Sequence, residues 1–439
     1  MVSAMIRQFA PWLLVNLPLM GALLTMAFWS KPGQVKQVAV TVAALTFASA
    51  AVLSMVLAAI THNSLLICLL PLAACVSILG QPVEPEHRSA WVFTLIFLNL
   101  GLVALLVDGL LNPLSVLLLL VLIIALLYQY HSPLWPMSWW GIASFGLGAA
   151  AIAFPLIGGN SSADVAALIL SATLLPLVPF HKGYFTALTR LPGNLPSFVV
   201  VLLPVLGLHS LVSTLPLISS GTATIIMILA LISALYGAFM ALAQSRPRSL
   251  LAYGSLSFFS IMWWFAASTQ VTVPAASVFV GAVALGTSGL LIAWQAIRTR
   301  YGDDVDPTAL SGLVSAMPRY AVLISLLALA VMGLPPFGVY AGFIGLALTS
   351  PLASSIAMFA ILLAWLIASW YILEAVQHLL FGRQRTDLRY RDVVPFEYAA
   401  LVLVIVAILG LGIVPSHWFA PLGSLATMNS SMEWFAWNR

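Results

Sequence analysis

Few side chains in this sequence can do acid–base chemistry, so the ones set within apolar stretches carry the most information. Glu374 and His378 stand four residues apart, which on a helix puts a carboxylate and an imidazole on one face. Such a pair could relay a proton, since imidazole titrates near neutral pH. The other reading is a solvated polar pair near a helix end, because Phe381 and Gly382 soon follow. His209 stands alone in the apolar stretch from Leu206 to Ser210. It is either a buried titrating group or a histidine bonded to a backbone carbonyl. His181 and Lys182 come directly after a segment broken by Pro176 and Pro179, where Lys182 could simply reach water. Asp108 and Asp164 read as loop residues outside the apolar runs, and His131 as lying near a helix end.

The background makes these groups conspicuous. Of 439 residues, 62% are hydrophobic and 6% charged, and the mean hydropathy is +1.10. A soluble domain carries about a quarter charged residues, so the chain belongs in a membrane. Sixteen Lys and Arg against twelve Asp and Glu leave a net charge of +4. That is too few basic groups to neutralise a phosphate backbone, which excludes a nucleic-acid role. The longest hydrophilic run, Arg298 to Arg319, is a loop, so a nucleotide fold, haem domain or iron–sulfur cluster has nowhere to sit. No cofactor is expected. Cys68 and Cys75 share one apolar segment, and their spacing supports neither a disulfide framework nor a metal site. The first apolar segment, preceded only by Arg7 and followed by no small-residue cleavage site, reads as retained.

A helix needs roughly 20 apolar residues to cross the hydrocarbon core. The apolar runs predict an all-α polytopic membrane protein of about fourteen transmembrane helices. They fall near 10–30, 37–60, 63–80, 90–107, 109–130, 134–157, 164–190, 195–218, 221–243, 249–268, 274–297, 319–349, 353–381 and 397–417. Merging two short spans gives thirteen. Basic residues collect in cytoplasmic loops, and here they alternate. Odd-numbered loops hold Lys31 and Lys36, then Arg88, none after the fifth helix, Lys182 and Arg190, Arg246 and Arg248, Arg298, Arg300 and Arg319, and finally Arg383, Arg385, Arg389 and Arg391. The even loops hold none, and Arg7 and Arg439 sit on the termini. Both termini are therefore expected outside the cytoplasm. The arginines of the later loops, Arg246 and Arg248 among them, are expected to anchor against anionic headgroups. Trp135, Trp139 and Trp140 fit an interfacial belt.

Two of these segments are interrupted. The seventh carries Pro176 and Pro179, and the twelfth carries Gly333, Pro335 and Pro336. A proline inside a helix removes a hydrogen bond and costs roughly 3 kcal/mol. In a bilayer the freed carbonyls must find partners, so a broken helix lines a cavity or packs within protein. The breaks are five helices apart, an odd offset that predicts inverted five-helix repeats of the kind found in transporters. The plainer alternative is a pair of kinks. The expected division is a three-helix segment 1–89, a first repeat 90–218, a second repeat 219–381, and a final helix and tail 382–439.

The residues around the breaks resemble the antiporter-like proton-channel subunits L, M and N of respiratory complex I. Mrp antiporter subunits, membrane subunits of energy-converting hydrogenases and the membrane partner of a bacterial inorganic-carbon transporter share that family. Pro179-Phe-His181 is similar to the family's Pro-Phe-His at its broken seventh helix. Gln244 with Leu250-Leu-Ala-Tyr-Gly-Ser255 resembles its Gln-x-x-x-Lys-Arg-Leu-Leu-Ala-Tyr-Ser-Ser element. Met332 to Gly338, followed by Gly342 and Phe343, resembles its Gly-Leu/Ile-Pro-Pro-x-x-Gly-Phe break. The resemblance covers roughly 90–420 and implies the same fold, a bacterial inner-membrane location, and work beside other subunits of a membrane complex. Only about twenty residues follow the last span, which disfavours equivalence to subunit L.

The departures are as informative. The family carries a glutamate in helix 5, lysines in helices 7 and 8, and a lysine or glutamate in helix 12. Here the helix-7 position is Leu174, and helix 5 has no acid between Asp108 and Tyr130. The helix-8 position falls within Pro204 to Leu206, and the helix-12 position is Phe343 or Leu346. The family's Lys-Arg reads Arg248-Ser249, and a histidine common after that element reads Phe258 or Phe259. The resemblance implies proton translocation along a reduced path through His181, Lys182, His209, Glu374 and His378. The alternative it leaves is a non-conducting scaffold that holds a partner subunit. No catalytic site is seen, and membership of a proton-translocating oxidoreductase complex stays open. Protons are preferred to sodium ions, because the surviving groups are histidines.

Overall fold

A computed structural model describes residues 2–57, 64–130, 139–156, 163–271, 273–301, 311–349, 355–382 and 391–414. Helices account for nearly all of them, and no strand occurs among the described residues. The first third holds α1 (Val2–Ala27), α2 (Pro32–Leu57), α3 (Ser64–Leu79), α4 (Arg88–Leu106), α5 (Leu111–Gln129) and α6 (Trp139–Leu156). Next come α7 (Ala163–Leu174), α8 (Lys182–Arg190), α9 (Leu195–Thr214), α10 (Ser220–Leu242), α11 (Pro247–Thr269) and α12 (Pro274–Tyr301). The chain ends with α13 (Leu313–Ala316), α14 (Pro318–Val331), α15 (Gly338–Thr349), α16 (Ser355–Leu380) and α17 (Pro395–Ile413). Nine of the described helices are long and apolar enough to cross a membrane, and six shorter apolar ones accompany them.

Local chemistry sets the helix starts. Pro32, Pro247, Pro274, Pro318 and Pro395 each open a helix, where a missing N–H costs nothing and the fixed φ already suits the turn. Ser219 caps α10 by accepting the Thr222 N–H at 3.2 Å. At α17, Glu397 accepts the Val394 N–H at 3.0 Å, placing a carboxylate at the positive end of the helix.

Burial divides the bundle into layers. α9, α11 and α12 are enclosed on nearly all sides, whereas α5, α10, α16 and α17 turn much of their surface outward. The outer helices pack onto the inner ones in pairs, α10 on α11, α15 on α12 and α7 on α9. Because the helices are apolar all round, sequence periodicity does not mark which face is inside.

Both expected breaks are present. α7 ends at Leu174 and α8 begins at Lys182, while α14 ends at Val331 and α15 begins at Gly338. Each contains a cis X–Pro bond, Val178–Pro179 in one and Pro335–Pro336 in the other.

Several loop expectations are corrected. Lys36 lies in α2 and is buried, because the carbonyls ending α3 receive its ammonium. Arg298 and Arg300 lie on the last turns of α12, and Arg319 lies on α14. Trp139 and Trp140 are exposed at the start of α6, as a belt requires. His131, Trp135, Arg383, Arg385, Arg389 and Arg439 lie outside the described residues.

Candidate functional site

The break between α7 and α8 holds a polar pocket within an apolar bundle. His181, the residue before α8, is 5% exposed, and its ring has no side-chain hydrogen-bond partner among the described residues, only the backbone of Pro179. Its ring lies edge-on to Tyr236 of α10 at 5.5 Å and tilted against Tyr253 of α11 at 6.4 Å. Lys182 is half-buried and donates from Nζ to the Tyr253 hydroxyl at 3.3 Å. The same ammonium stands 5.7 Å from the Tyr253 ring and 5.8 Å from Phe185. That geometry favours a cation. A turn further on, Tyr184 and Ser255 share a buried hydrogen bond of 2.8 Å.

The backbone freed by the break is met by protein. The Leu175 carbonyl accepts the indole N–H of Trp263 at 3.1 Å. The Val178 N–H donates to Ser233 Oγ at 3.3 Å, and Ser233 in turn pairs with Ser260 at 2.7 Å. Ser144 of α6 donates to the Phe180 carbonyl. On the far side of the break Ser171 donates to Ser210 at 3.0 Å. The close fit needs Gly207 on α9, since a Cβ there would stand 2.4 Å from the Leu175 nitrogen.

The second break repeats the arrangement around different chemistry. Leu177 N–H reaches back five residues to Ala172 O at 3.2 Å, and Leu334 N–H reaches Leu329 O at 3.3 Å in the same way. The Met332 carbonyl accepts the indole of Trp365 at 3.0 Å. Gly333 has φ +77° and lies under that indole, where a Cβ would come within 2.1 Å of the ring. Among the described residues no lysine or histidine appears here. Trp365 instead meets Phe343 at 4.3 Å, Phe258 at 5.2 Å and Phe279 at 6.3 Å between ring centroids. The positions where the resemblance would place charges are filled by apolar packing: Leu174, Leu206 and Leu346 are buried and Phe343 joins the aromatic cluster.

The remaining candidates are separated from this pocket. His209 is half-buried on α9 and within electrostatic reach of Asp108, which is exposed at the turn between α4 and α5. It stands beyond the first break, next to Ser210, and not at the level of His181. Glu374 and His378 do approach each other, at 3.8 Å, but their side chains are 52% and 64% exposed on the outer face of α16. The helix is apolar around its whole circumference, so the pair's spacing fixed their meeting and not their direction.

A second charged cluster was not singled out from sequence. Arg300 of α12 grips Glu397 of α17 with two bonds, of 3.1 and 2.6 Å, and both side chains are nearly enclosed. Lys36 donates to Leu79 O at 3.0 Å and to Gln81 O, and lies 5.2 Å from the Phe396 ring. Arg248 corrects the expectation of a headgroup anchor. It points inward, donating to the carbonyls of Thr189, Leu191 and Gly193 at 3.3 Å each and to Gln295 at 3.1 Å. Charge-rule reasoning assigns such residues to loops, whereas unmet carbonyls at helix ends draw them in. Among the described residues, no three His, Cys, Asp or Glu side chains converge as metal ligands would.

A family model described as NADH:quinone oxidoreductase/Mrp antiporter, TM, matches residues 104–372. F420H2 dehydrogenase subunit M from Methanosarcina mazei is 29% identical over 252 residues, which is 55% of this chain and 50% of that protein. The chain thus spans about half the length of the curated relatives it matches. A chain in the structure of respiratory complex I from Thermus thermophilus with bound NADH shares the fold, with a TM-score of 0.77 and 19% identity. The match covers 95% of this chain and 98% of that one. A chain of the Mrp complex from Dietzia sp. DQ12-45-1b gives a TM-score of 0.74 at 15% identity, covering 93% and 94%. These structural likenesses are of fold.

Proposed function

This chain belongs to the NADH:quinone oxidoreductase/Mrp antiporter family of multi-pass membrane proteins, and from that premise we propose that it is a proton-translocating, antiporter-like subunit of a larger energy-coupling or ion-uptake complex, inorganic-carbon uptake included. The route is centred on the first break. It runs from the His209 and Asp108 end, past the hydroxyls of Ser171, Ser210, Ser233 and Ser260, to His181, Lys182 and Tyr253. The observation that carries this reading is His181 itself: a buried imidazole with no side-chain hydrogen-bond partner among the described residues, beside a lysine and two tyrosines. A group kept at that cost needs a reason, and proton transfer supplies one. Glu374 and His378 fall outside the route, because their side chains are more than half exposed at the outer surface.

The topology follows from the same premise. The fourteen spans count each broken pair, α7 with α8 and α14 with α15, as one crossing. The matching hydrogen bonds at the two breaks support inverted repeats over 90–218 and 219–381, flanked by 1–89 and 382–439. The end carrying Arg248 and Arg300 faces the cytoplasm of a bacterial inner membrane, with both termini opposite. Energy for translocation comes from partner subunits.

A second reading is favoured by one observation. The aromatic cluster around Trp365 and the buried Leu174 leave no charged group at those depths, as a non-conducting scaffold would. Proton flux into liposomes separates the two readings, using the purified chain with and without co-purifying subunits. Translocation predicts flux that falls in His181→Ala and Tyr253→Phe and persists in Glu374→Gln. Absence of flux in every preparation, with assembly intact, establishes the scaffold.

A further inference from the structure

Glu374 has a setting that the proton route does not explain. A cleft of about 230 Å³ opens on the outer surface between α10, α11, α12, α14 and α16. Its depth is apolar, with Leu250, Leu290 and Ile324 among its walls, while Gln244, Ser245, Glu374 and His378 stand together on its polar side. Glu374 lies ~9 Å before α16 ends at Leu380. The last turns of a spanning helix lie where hydrocarbon gives way to headgroups. His378 comes no nearer than 3.8 Å, too far for a hydrogen bond with the carboxylate. Tyr320 forms part of the wall, is wholly buried, and its hydroxyl has no hydrogen-bond partner among the described residues.

We propose that this cleft binds one membrane lipid, its acyl chain between α10 and α16 and its headgroup ammonium on the Glu374 carboxylate. Charge selects the occupant. An anionic headgroup would be repelled by Glu374, while a primary ammonium can donate to it directly. Arg246, exposed and flanked in sequence by the lining residues Ser245 and Pro247, adds a positive charge beside the cleft. The chemistry is that of a phosphoethanolamine headgroup, which carries both charges. A quaternary ammonium cannot donate a hydrogen bond and binds less well.

Trp294 lines the same cleft and is half-exposed, so it reports occupancy. The test is quenching of Trp294, taken as the difference between wild type and Trp294→Phe, in vesicles holding acyl-brominated phosphatidylethanolamine or phosphatidylcholine. One charge-assisted hydrogen bond predicts half-maximal quenching at about tenfold lower content of the ethanolamine lipid. Glu374→Gln is expected to abolish that preference while acyl-chain quenching remains. A bimane label on Ala375→Cys gives the same reading without altering Trp294. Equal quenching by both lipids, or a preference that survives Glu374→Gln, overturns the proposal. So does shielding of both reporters from every brominated lipid by a co-purifying subunit, which identifies a protein occupant instead.

Discussion

The indole of Trp263, on α11, and the carbonyl of Leu175 meet at 3.1 Å at the break between α7 and α8. The proline-rich break removes the carbonyl's helical partner, and a residue on α11 restores it. Trp365 does the same for Met332 at the second break. The two breaks are thus held by equivalent bonds from non-equivalent helices.

Replacing Trp263 by Phe keeps most of the volume and deletes the donor. The expected loss is about 1–3 kcal/mol, the cost of leaving a buried acceptor unmet. Trp365→Phe is expected to fall in the same range, and Trp140→Phe, on an exposed face, near zero. Thermal unfolding in detergent checks all three, and equal effects across them would refute the role given to the indoles.

Gly207 is a test of packing. An added Cβ would stand 2.4 Å from a backbone nitrogen, which cannot swing aside. Gly207→Ala is therefore expected to destabilise by about 1–3 kcal/mol, while Gly146→Ala, with nothing within 4 Å, is tolerated. A melting point for Gly207→Ala equal to wild type would show that α9 and the break are looser than described.

Arg300 and Glu397 form a bidentate pair across α12 and α17 with little solvent access. Removing one partner strands the other, at about 3–5 kcal/mol, whereas replacing both by apolar residues costs far less. A double-mutant cycle with Arg300→Met and Glu397→Leu is expected to give a double variant more stable than either single one. Simple additivity would mean that the pair is not coupled.

Arg248 holds three carbonyls around the turn between α8 and α9. Arg248→Ala is expected to speed amide hydrogen exchange across residues 189–197 and leave α16 unchanged. Arg248→Lys is expected to recover only part of the protection, since one ammonium cannot span the same acceptors.

Much of this was legible in the sequence, for physical reasons that also mark where legibility ended. Prolines announce themselves, so Pro176, Pro179, Pro335 and Pro336 placed both breaks before any coordinates. Apolar run lengths placed most helices within about five residues of their observed ends, although α1 begins at Val2 and not near residue 10. Facing was not legible, because an all-round apolar helix has no inner stripe to read. That is why Glu374 and His378 were paired correctly yet could not be assigned to the outside. Long-range charge pairs were hidden too. Lys36 resembles a loop lysine until the end of α3 supplies its carbonyls, and nothing near Arg300 in sequence announces Glu397.

The bonds at the breaks also impose an order in time. Leu175 leaves the ribosome long before Trp263, and Met332 before Trp365, so each carbonyl enters the membrane ahead of the donor that will cover it. A bilayer offers no substitute partner. The nascent chain must therefore keep each break close to water, or to the insertion machinery, until the later helix arrives. Chains arrested between a break and its tryptophan should be the fragile ones.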